Sequence, residues 1–476
     1  MPTRHLAFLD DVPAPLREGL RQLRDGLGVP DDFPDEVLTA AAQAAAQPRL
    51  PERDLTALPF LTIDPEGSVD LDQAMHLARD GDGYLIRYAI ADVAAFVRAG
   101  DPIDQEAHFR GETLYAPNQR TPLHPSALSE GAASLLPGQL RPALVWELRL
   151  DAAGALVDAT VGRARVMSRT QYTYDQVQRL IDEGGAEEGL LLLREIGLLR
   201  EQQERDRGGV SLGVPEQEIR VEGATWTLQY RTPLPSEGWN AQISLLTGMA
   251  AGRMMIAGGI GILRTLPPAE DAAIARLRRT AQALGISWPH KQPYPEFVRA
   301  LDPAIATHAA MLNACTALFR GAGYDAFTDG APEGAVHAAV AAPYAHVTAP
   351  LRRLVDRYAG EICVALCAGE PVPDWAAAAL DELPTAMEES GRRSRKYERG
   401  IVDLVEAMVL APRIGQDFRG VLIDVEPSRD EGKLQLSAPA VEARVRGRRL
   451  QLGAEATASL VAADLIKGVV EFRILG

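Results

Sequence analysis

Three carboxylates, Asp64, Asp70 and Asp72, fall within nine residues. They follow the apolar run Phe60-Leu61-Thr62-Ile63, which reads as a buried strand. Pro65 and Gly67 break that strand and leave the acids on a loop at its end. In an extended segment, alternation turns Asp70 and Asp72 to one face. Packed carboxylates repel, and each resists ionising unless a cation sits between them. Hard oxygen ligands of this kind suit Mg²⁺ or Mn²⁺. The spacing equally fits a solvated acidic turn, because Asp is common in turns.

A second set of residues suits anions. Pro350 precedes a predicted helix, so Leu351 and Arg352 are expected in its first turn. Backbone N–H groups and a guanidinium there make an anion site. Arg353 adds a second cation. Farther on, Arg392-Arg393-Ser394-Arg395-Lys396 is the most basic run, on a predicted helix. It reads as an exposed face paired with Glu388 and Glu389, or as a wall that tracks phosphates. On residue type alone, Tyr174 packs at a helix start.

The elements that must position these groups need a long chain. At 476 residues there is room for two to four domains with a sizeable core. The hydrophobic fraction of 46% is ordinary for a globular protein. The net charge of −16 argues against a general nucleic-acid coat protein, although it permits a local positive channel. Three cysteines form no CxxC pair, which argues against zinc and for a reducing compartment. Met1-Pro2-Thr3-Arg4-His5 begins no signal-peptide core. The most apolar segment, Ser244 to Leu263, contains Arg253 and several glycines and reads as a packed core helix. A cytoplasmic monomer is the expectation.

Residues 1–55 read as a small helical domain. Leu16, Leu20, Leu23 and Leu27 recur at helical spacing before Gly28, and a second helix runs from Asp32 and Pro34 through alanines 40–46. The pair fits part of a helix-turn-helix unit or a plain helical cap. Residues 56–414 form the central domain. Within it, strands are expected at Tyr84–Ile90, Ala143–Leu150, Ala155–Val166, Val210–Val214 and His337–Tyr344, and a hairpin at Glu218–Tyr230. Residues 176–207 and 268–320 read as helical. Residues 415–476 change texture to short strands, including Arg448–Leu452, at the length of an OB-fold barrel.

Together these blocks resemble the RNase II family, whose catalytic unit is the RNB domain. Asp64 stands after a "T-I-D" strand end, Asp70 and Asp72 match "D-x-D-D-A", and Ile90-Ala91-Asp92-Val93 matches "I-A-D-V". Tyr344, His346, Thr348, Pro350, Arg352, Arg353 and Asp356 match "Y-x-H-F-T-S-P-I-R-R-Y-x-D". The chain departs at Gln73, Ala349 and Leu354, and at Ser244 and Leu245, where the family usually carries two glutamates.

The resemblance implies an α+β fold. It has an RNB domain with a mixed sheet surrounded by helices, a helical N-terminal part and a C-terminal OB-fold barrel. It implies processive 3′-to-5′ hydrolysis of single-stranded RNA to nucleoside 5′-monophosphates. Asp64, Asp70 and Asp72 would hold Mg²⁺ (or Mn²⁺), with Gln73 a weak amide ligand and Asp72 first in catalytic importance. Arg352 would stabilise charge at the scissile phosphate. Tyr174 would stack on the terminal base, and Arg353, Arg392, Arg393 and Arg395 would contact RNA. Bacterial members usually carry two cold-shock barrels before the catalytic domain. The short helical stretch before Phe60 therefore implies a more open mouth, suited to structured RNA with a 3′ overhang. The alternative is a degenerate RNB protein that binds RNA uncut. A small-molecule phosphohydrolase is disfavoured by the Arg-rich runs.

Overall fold

The computed structural model describes residues 13–30, 32–116, 119–212, 216–222 and 225–475. Two helices come first, α1 (Ala14–Leu27) and α2 (Asp35–Ala46). Gly28 ends α1 in the left-handed conformation, at φ 59°, as its position after the leucine ladder predicts.

The central domain is built on five strands: β1 (Phe60–Asp64), β2 (Gln73–Asp80), β3 (Gly83–Ala91) and, after α3 (Pro102–Arg110) and the ribbon of β4 (Leu114–Ala116) and β5 (Gln119–Thr121), β6 (Leu140–Leu150) and β7 (Leu156–Thr173). They close into a barrel in the order β1-β2-β3-β6-β7. The expected mixed sheet is thus curled on itself, with one parallel pair, β1 against β7, at the closure. β3 lies between β2 and β6 and is buried at eight of its nine positions, so it reads as a continuous apolar run. The parallel register places Asp64 opposite Thr173.

The next elements wrap the barrel: α4 (Tyr174–Asp182), α5 (Glu188–Asp206), the hairpin β8 (Glu216–Glu222) and β9 (Thr225–Arg231), α6 (Pro235–Gly258), β10 (Gly261–Thr265), α7 (Asp271–Ala283), α8 (Tyr294–Arg299), α9 (Ala306–Cys315), β11 (Gly323–Phe327), β12 (Val336–His337), β13 (Ala342–Pro343), α10 (Leu354–Ala368), α11 (Asp374–Ala379) and α12 (Leu383–Leu410). Of the apolar, glycine-containing segment expected as a core helix, Ser244 to Gly258 is in α6, whereas Gly261 to Leu263 is in β10. The glycines of α6 admit a close neighbour. A Cβ at Gly248 would lie 2.2 Å from the Tyr344 ring, and one at Gly252 would lie 2.9 Å from the Tyr344 nitrogen. The segment that leads into the arginine motif therefore rests directly on the α6 backbone. No helix among the described residues is long and apolar enough to cross a membrane.

The last five strands are β14 (Asp417–Glu426), β15 (Glu431–Leu436), β16 (Val441–Arg446), β17 (Glu455–Asp464) and β18 (Val469–Ile474). They close in the order β14-β15-β16-β18-β17, with β16 and β18 parallel. This is the expected OB-type barrel. It shares an apolar core with α1, α12 and the β8–β9 hairpin through Leu16, Leu20, Trp226, Leu404 and Phe472.

Four local expectations fail. Residues 337–344 hold only the two-residue bridge of β12 and β13, because the chain turns at Ala341, where φ is +54°. Val210 to Leu212 form no strand, and the rest of that expected strand lies outside the described residues. Arg448–Leu452 is a turn, with Arg449 at φ +57°. Finally, α10 begins at Leu354, so Leu351 and Arg352 precede the helix instead of filling its first turn, and Arg353 is its N-cap residue.

Candidate active site

The acidic loop between β1 and β2 is pinned at several points. The Leu71 amide donates to the Ser134 hydroxyl at 2.9 Å, and that hydroxyl donates to the Val69 carbonyl at 2.7 Å. Gln171 on β7 donates to the Ser68 carbonyl at 2.9 Å. Gly67 supplies the left-handed turn, at φ +79°. These bonds use small polar side chains far apart in sequence, and they fix the spacing of the three acids.

Asp72 is 4% exposed and meets the arginine motif directly. Its Oδ1 accepts the Leu351 amide at 2.7 Å, and its Oδ2 lies 3.2 Å from Arg352 Nε. The Arg352 side chain remains 42% exposed, so its outer nitrogens stay open to an incoming anion. Burial pushes the Asp72 carboxyl up to about 8, against Arg352 and the Leu351 amide, with the Asp70 and Asp356 charges adding to the rise. Asp64 is pushed up to about 7, again chiefly by burial, with Arg352 opposing and Asp70 adding. Its Oδ2 is inaccessible and has no hydrogen-bond partner. Asp70 is engaged differently: its Oδ1 pairs with Arg120 at 2.6 Å, and Arg120 also holds Glu130 at 2.6 Å.

Tyr174 opens α4 beside the Asp64–Thr173 register, under a Thr173–Gln176 capping box. Its hydroxyl accepts from Asn240 Nδ2 at 3.1 Å, and its carbonyl accepts from Ser236 at 3.0 Å. Burial, with the Asp64 charge, raises its phenol well above the usual range.

Gln73 is held away from any ligand role. Its Nε2 donates to the Thr348 carbonyl at 2.6 Å, and its Oε1 accepts from the Tyr88 hydroxyl. Arg353 does not join the acids either. Its guanidinium forks onto Asp356 at 2.9 and 2.8 Å, and Asp356 also accepts the Ala349 amide at 2.7 Å. Arg393 is spent on the carbonyls of Gly28, Phe109 and Arg110 at 3.5, 3.2 and 2.8 Å. Arg392 and Arg395 are exposed on α12. His346 is half-buried beside Tyr324, its Nδ1 2.7 Å from the phenol oxygen, as befits a structural residue.

Among the described residues no three His, Cys, Asp or Glu side chains converge as a ready cage for a metal. The donor set nonetheless fits a Mg²⁺ ion. Mg²⁺ is usually held by one or two carboxylates and completes its octahedron with water and substrate phosphate. The unpartnered Asp64 Oδ2 and the adjacent Asp70 provide that minimum.

Two further residues, Tyr115 and Tyr88, lie near the acids. Tyr115 lies across the β4–β5 ribbon from Arg120, and burial, then the Asp70 charge, raises its phenol. Tyr88 is fully buried on β3. Tyr88 precedes the Ile90-Ala91-Asp92-Val93 block by two residues, and that nearness is the signal the sequence offers.

The RNB domain pattern matches residues 52–367. The chain belongs to the RNB family. The RNase II-type exonuclease C-terminal S1 domain pattern matches residues 416–475 of this RNB protein, the second barrel. Ribonuclease R of Escherichia coli (strain K12) is 28% identical over 405 residues, covering 78% of this chain and 48% of that protein. The RNB chain thus spans about half the length of that curated relative. In fold it is similar to Mycoplasma genitalium RNase R, at a TM-score of 0.86 and 19% identity, covering 97% of this chain and 78% of the other. That RNase R has also been solved with single-stranded and with double-stranded RNA. Yeast Ssd1, a pseudonuclease, shares the fold at a TM-score of 0.69 and 16% identity, covering 87% of this chain and 53% of the other.

Proposed function

We propose that this RNB protein is a processive exoribonuclease that hydrolyses RNA from the 3′ end to nucleoside 5′-monophosphates. The observation that carries the reading is the Arg352–Asp72 pair: a half-exposed guanidinium seated on a buried carboxylate, with the half-buried Asp64, whose Oδ2 is inaccessible and unpartnered, as a second acid. Arg352 takes a non-bridging phosphate oxygen with its outer nitrogens, a task for which a planar, permanently charged fork is suited. Asp72 holds the Arg352 loop in place through the Leu351 amide. Tyr174 offers its ring to the terminal base, and stacking of that kind tolerates any sequence. Arg392 and Arg395, exposed on α12, attract the backbone farther out. Mg²⁺ (or Mn²⁺) held by Asp64 and Asp70, with Asp72 of the expected ligand set engaged instead by Arg352 and the Leu351 amide, would supply charge neutralisation at the phosphate and activation of water. Single-stranded RNA, or structured RNA with a 3′ overhang, is the substrate class. The RNA-bound structures of the similar RNase R support that choice.

A second reading, RNA binding without cleavage, is favoured by Gln73, Ser244, Leu245 and Ala349 standing where the family pattern differs, and by the pseudonuclease that shares the fold. End-labelled poly(A) incubated with Mg²⁺ separates the two. Shortening of the RNA with release of 5′-AMP supports hydrolysis, and retention of intact bound RNA supports the second reading.

A further inference from the structure

We propose that Gln73 is a positioning residue: with Tyr88 it locks the loop from Thr348 to Arg352 onto β2, and the site requires an amide there. The proposal rests on the phosphodiesterase reading above, in which Arg352 meets the phosphate.

Gln73 and Asp72 are neighbours, and both reach the same distant loop. Gln73 takes its start, through the Thr348 carbonyl at 2.6 Å, and Asp72 takes its end, through the Leu351 amide at 2.7 Å. The loop between is fully enclosed, with Thr348 3%, Ala349 0% and Leu351 1% exposed. Its backbone groups therefore need partners inside the protein. A carbonyl needs a donor, and an ionised Glu or Asp has none to give. The amide is turned the right way by Tyr88, whose hydroxyl donates to Oε1 and leaves Nε2 for Thr348. Tyr88 lies diagonal to Gln73 on the same face of the sheet, since Gln73 is opposite Ile90 and Met75 is opposite Tyr88.

The Thr348 side chain closes the arrangement. Its hydroxyl is 2.9 Å from that of Ser244 on α6. Gln73 and Ser244 are both positions where the family pattern carries an acid, and here both neutral replacements end on one residue, Thr348. A carboxylate at 73 would face the Thr348 carbonyl with Asp72 beside it. The departures thus form one neutral network that anchors the arginine loop, rather than a damaged metal site.

The test uses the full chain with Gln73→Glu and the milder Tyr88→Phe, each checked for an unchanged thermal midpoint. In the metal-free, RNA-free protein, the Leu351 and Arg352 amides exchange hydrogen faster in both variants, more so in Gln73→Glu. On oligo(A) with Mg²⁺, Gln73→Glu lowers kcat about 10- to 100-fold with little change in KM, the scale expected for a misplaced catalytic group. Combined with Arg352→Ala, it costs no more than Arg352→Ala alone, because both act through the same guanidinium. Mn²⁺ affinity, read by electron paramagnetic resonance, stays at the wild-type value. Tighter Mn²⁺ binding by Gln73→Glu with wild-type turnover and unchanged exchange would overturn the proposal and make Gln73 a weak ligand. A wild-type protein inactive on RNA would instead remove the phosphodiesterase reading. The exchange measurement would still decide whether Gln73 anchors the loop.

Discussion

Arg352 and Arg353 are adjacent in sequence, yet their guanidinium groups have opposite fates. Arg352 is 42% exposed, with its Nε 3.2 Å from Asp72 Oδ2. Arg353 is 24% exposed and forks onto the fully buried Asp356. The break between them is where the loop ends and α10 begins, with Arg353 as the N-cap residue. One arginine is available to a ligand and the other holds the fold.

That division gives a paired expectation. Arg353→Ala strands the Asp356 carboxylate and lowers unfolding free energy by about 3 kcal/mol, the usual cost of removing one partner of a buried pair. Arg352→Ala costs less in urea unfolding, because Asp72 keeps the Leu351 amide, and lowers kcat on RNA about 100- to 1,000-fold, as the loss of one transition-state contact does. Equal destabilisation by the two substitutions would contradict the division.

The proposed function gives Tyr174 the part of a base platform, and Asn240 steadies its hydroxyl. Tyr174→Ala is expected to weaken binding of short oligonucleotides by about 1–3 kcal/mol, the worth of one stacked base. Tyr174→Phe keeps the ring, loses the Asn240 bond at 3.1 Å, and stays near wild type. Fluorescence anisotropy on a labelled 5-mer reads both. A Phe variant as weak as the Ala variant would move the role from the ring to the hydroxyl.

Glu406 gives the stability profile a pH dependence away from the site. This α12 carboxyl is 2% exposed and accepts the Glu442 amide at 3.0 Å and Gln217 Nε2 at 2.8 Å. Burial raises it from 4.5 to about 7, opposed by the Glu442 amide, Arg399 and Gln217, with Asp403 adding to the rise. A raised carboxyl binds its proton more tightly in the folded state, so stability falls as pH climbs from about 4.5 to 7 and is level beyond. The shift corresponds to about 3 kcal/mol. Relative to Glu406→Gln, the wild type should lose melting temperature across that window. A constant difference between the two from pH 4.5 to 8 would show that Glu406 titrates as an exposed acid.

Much of this organisation is legible in the residues. The leucine ladder of α1 with its closing glycine, the apolar β3 run and the short strands of the second barrel each carry a periodicity that tertiary structure does not override. The Thr348–Arg352 loop departs from its sequence pattern. Pro350 is an ordinary helix-start signal, but the amides that would begin a helix are claimed by Asp72 and Asp356. Arg353 and Arg393 looked like phosphate contacts because a guanidinium has the same local appearance whether its partner is solvent or a buried carbonyl. Gln73 looked like a weakened ligand for a similar reason. Its partner, the Thr348 carbonyl, is a backbone atom, which side-chain patterns do not reveal.

The central claim is tested most directly by following 5′-end-labelled poly(A) with the wild-type protein and Asp72→Asn in Mg²⁺. Asn keeps the shape of the side chain and its acceptor for the Leu351 amide, while the oxygen that faces Arg352 Nε is replaced by an amide nitrogen. The account predicts that the wild type shortens the RNA from its 3′ end and releases 5′-AMP. Asp72→Asn should leave the RNA intact while binding it at least as tightly, because phosphate contacts elsewhere carry most of the affinity. Wild-type turnover by Asp72→Asn, or a wild-type protein that binds the RNA and never shortens it, would contradict the account.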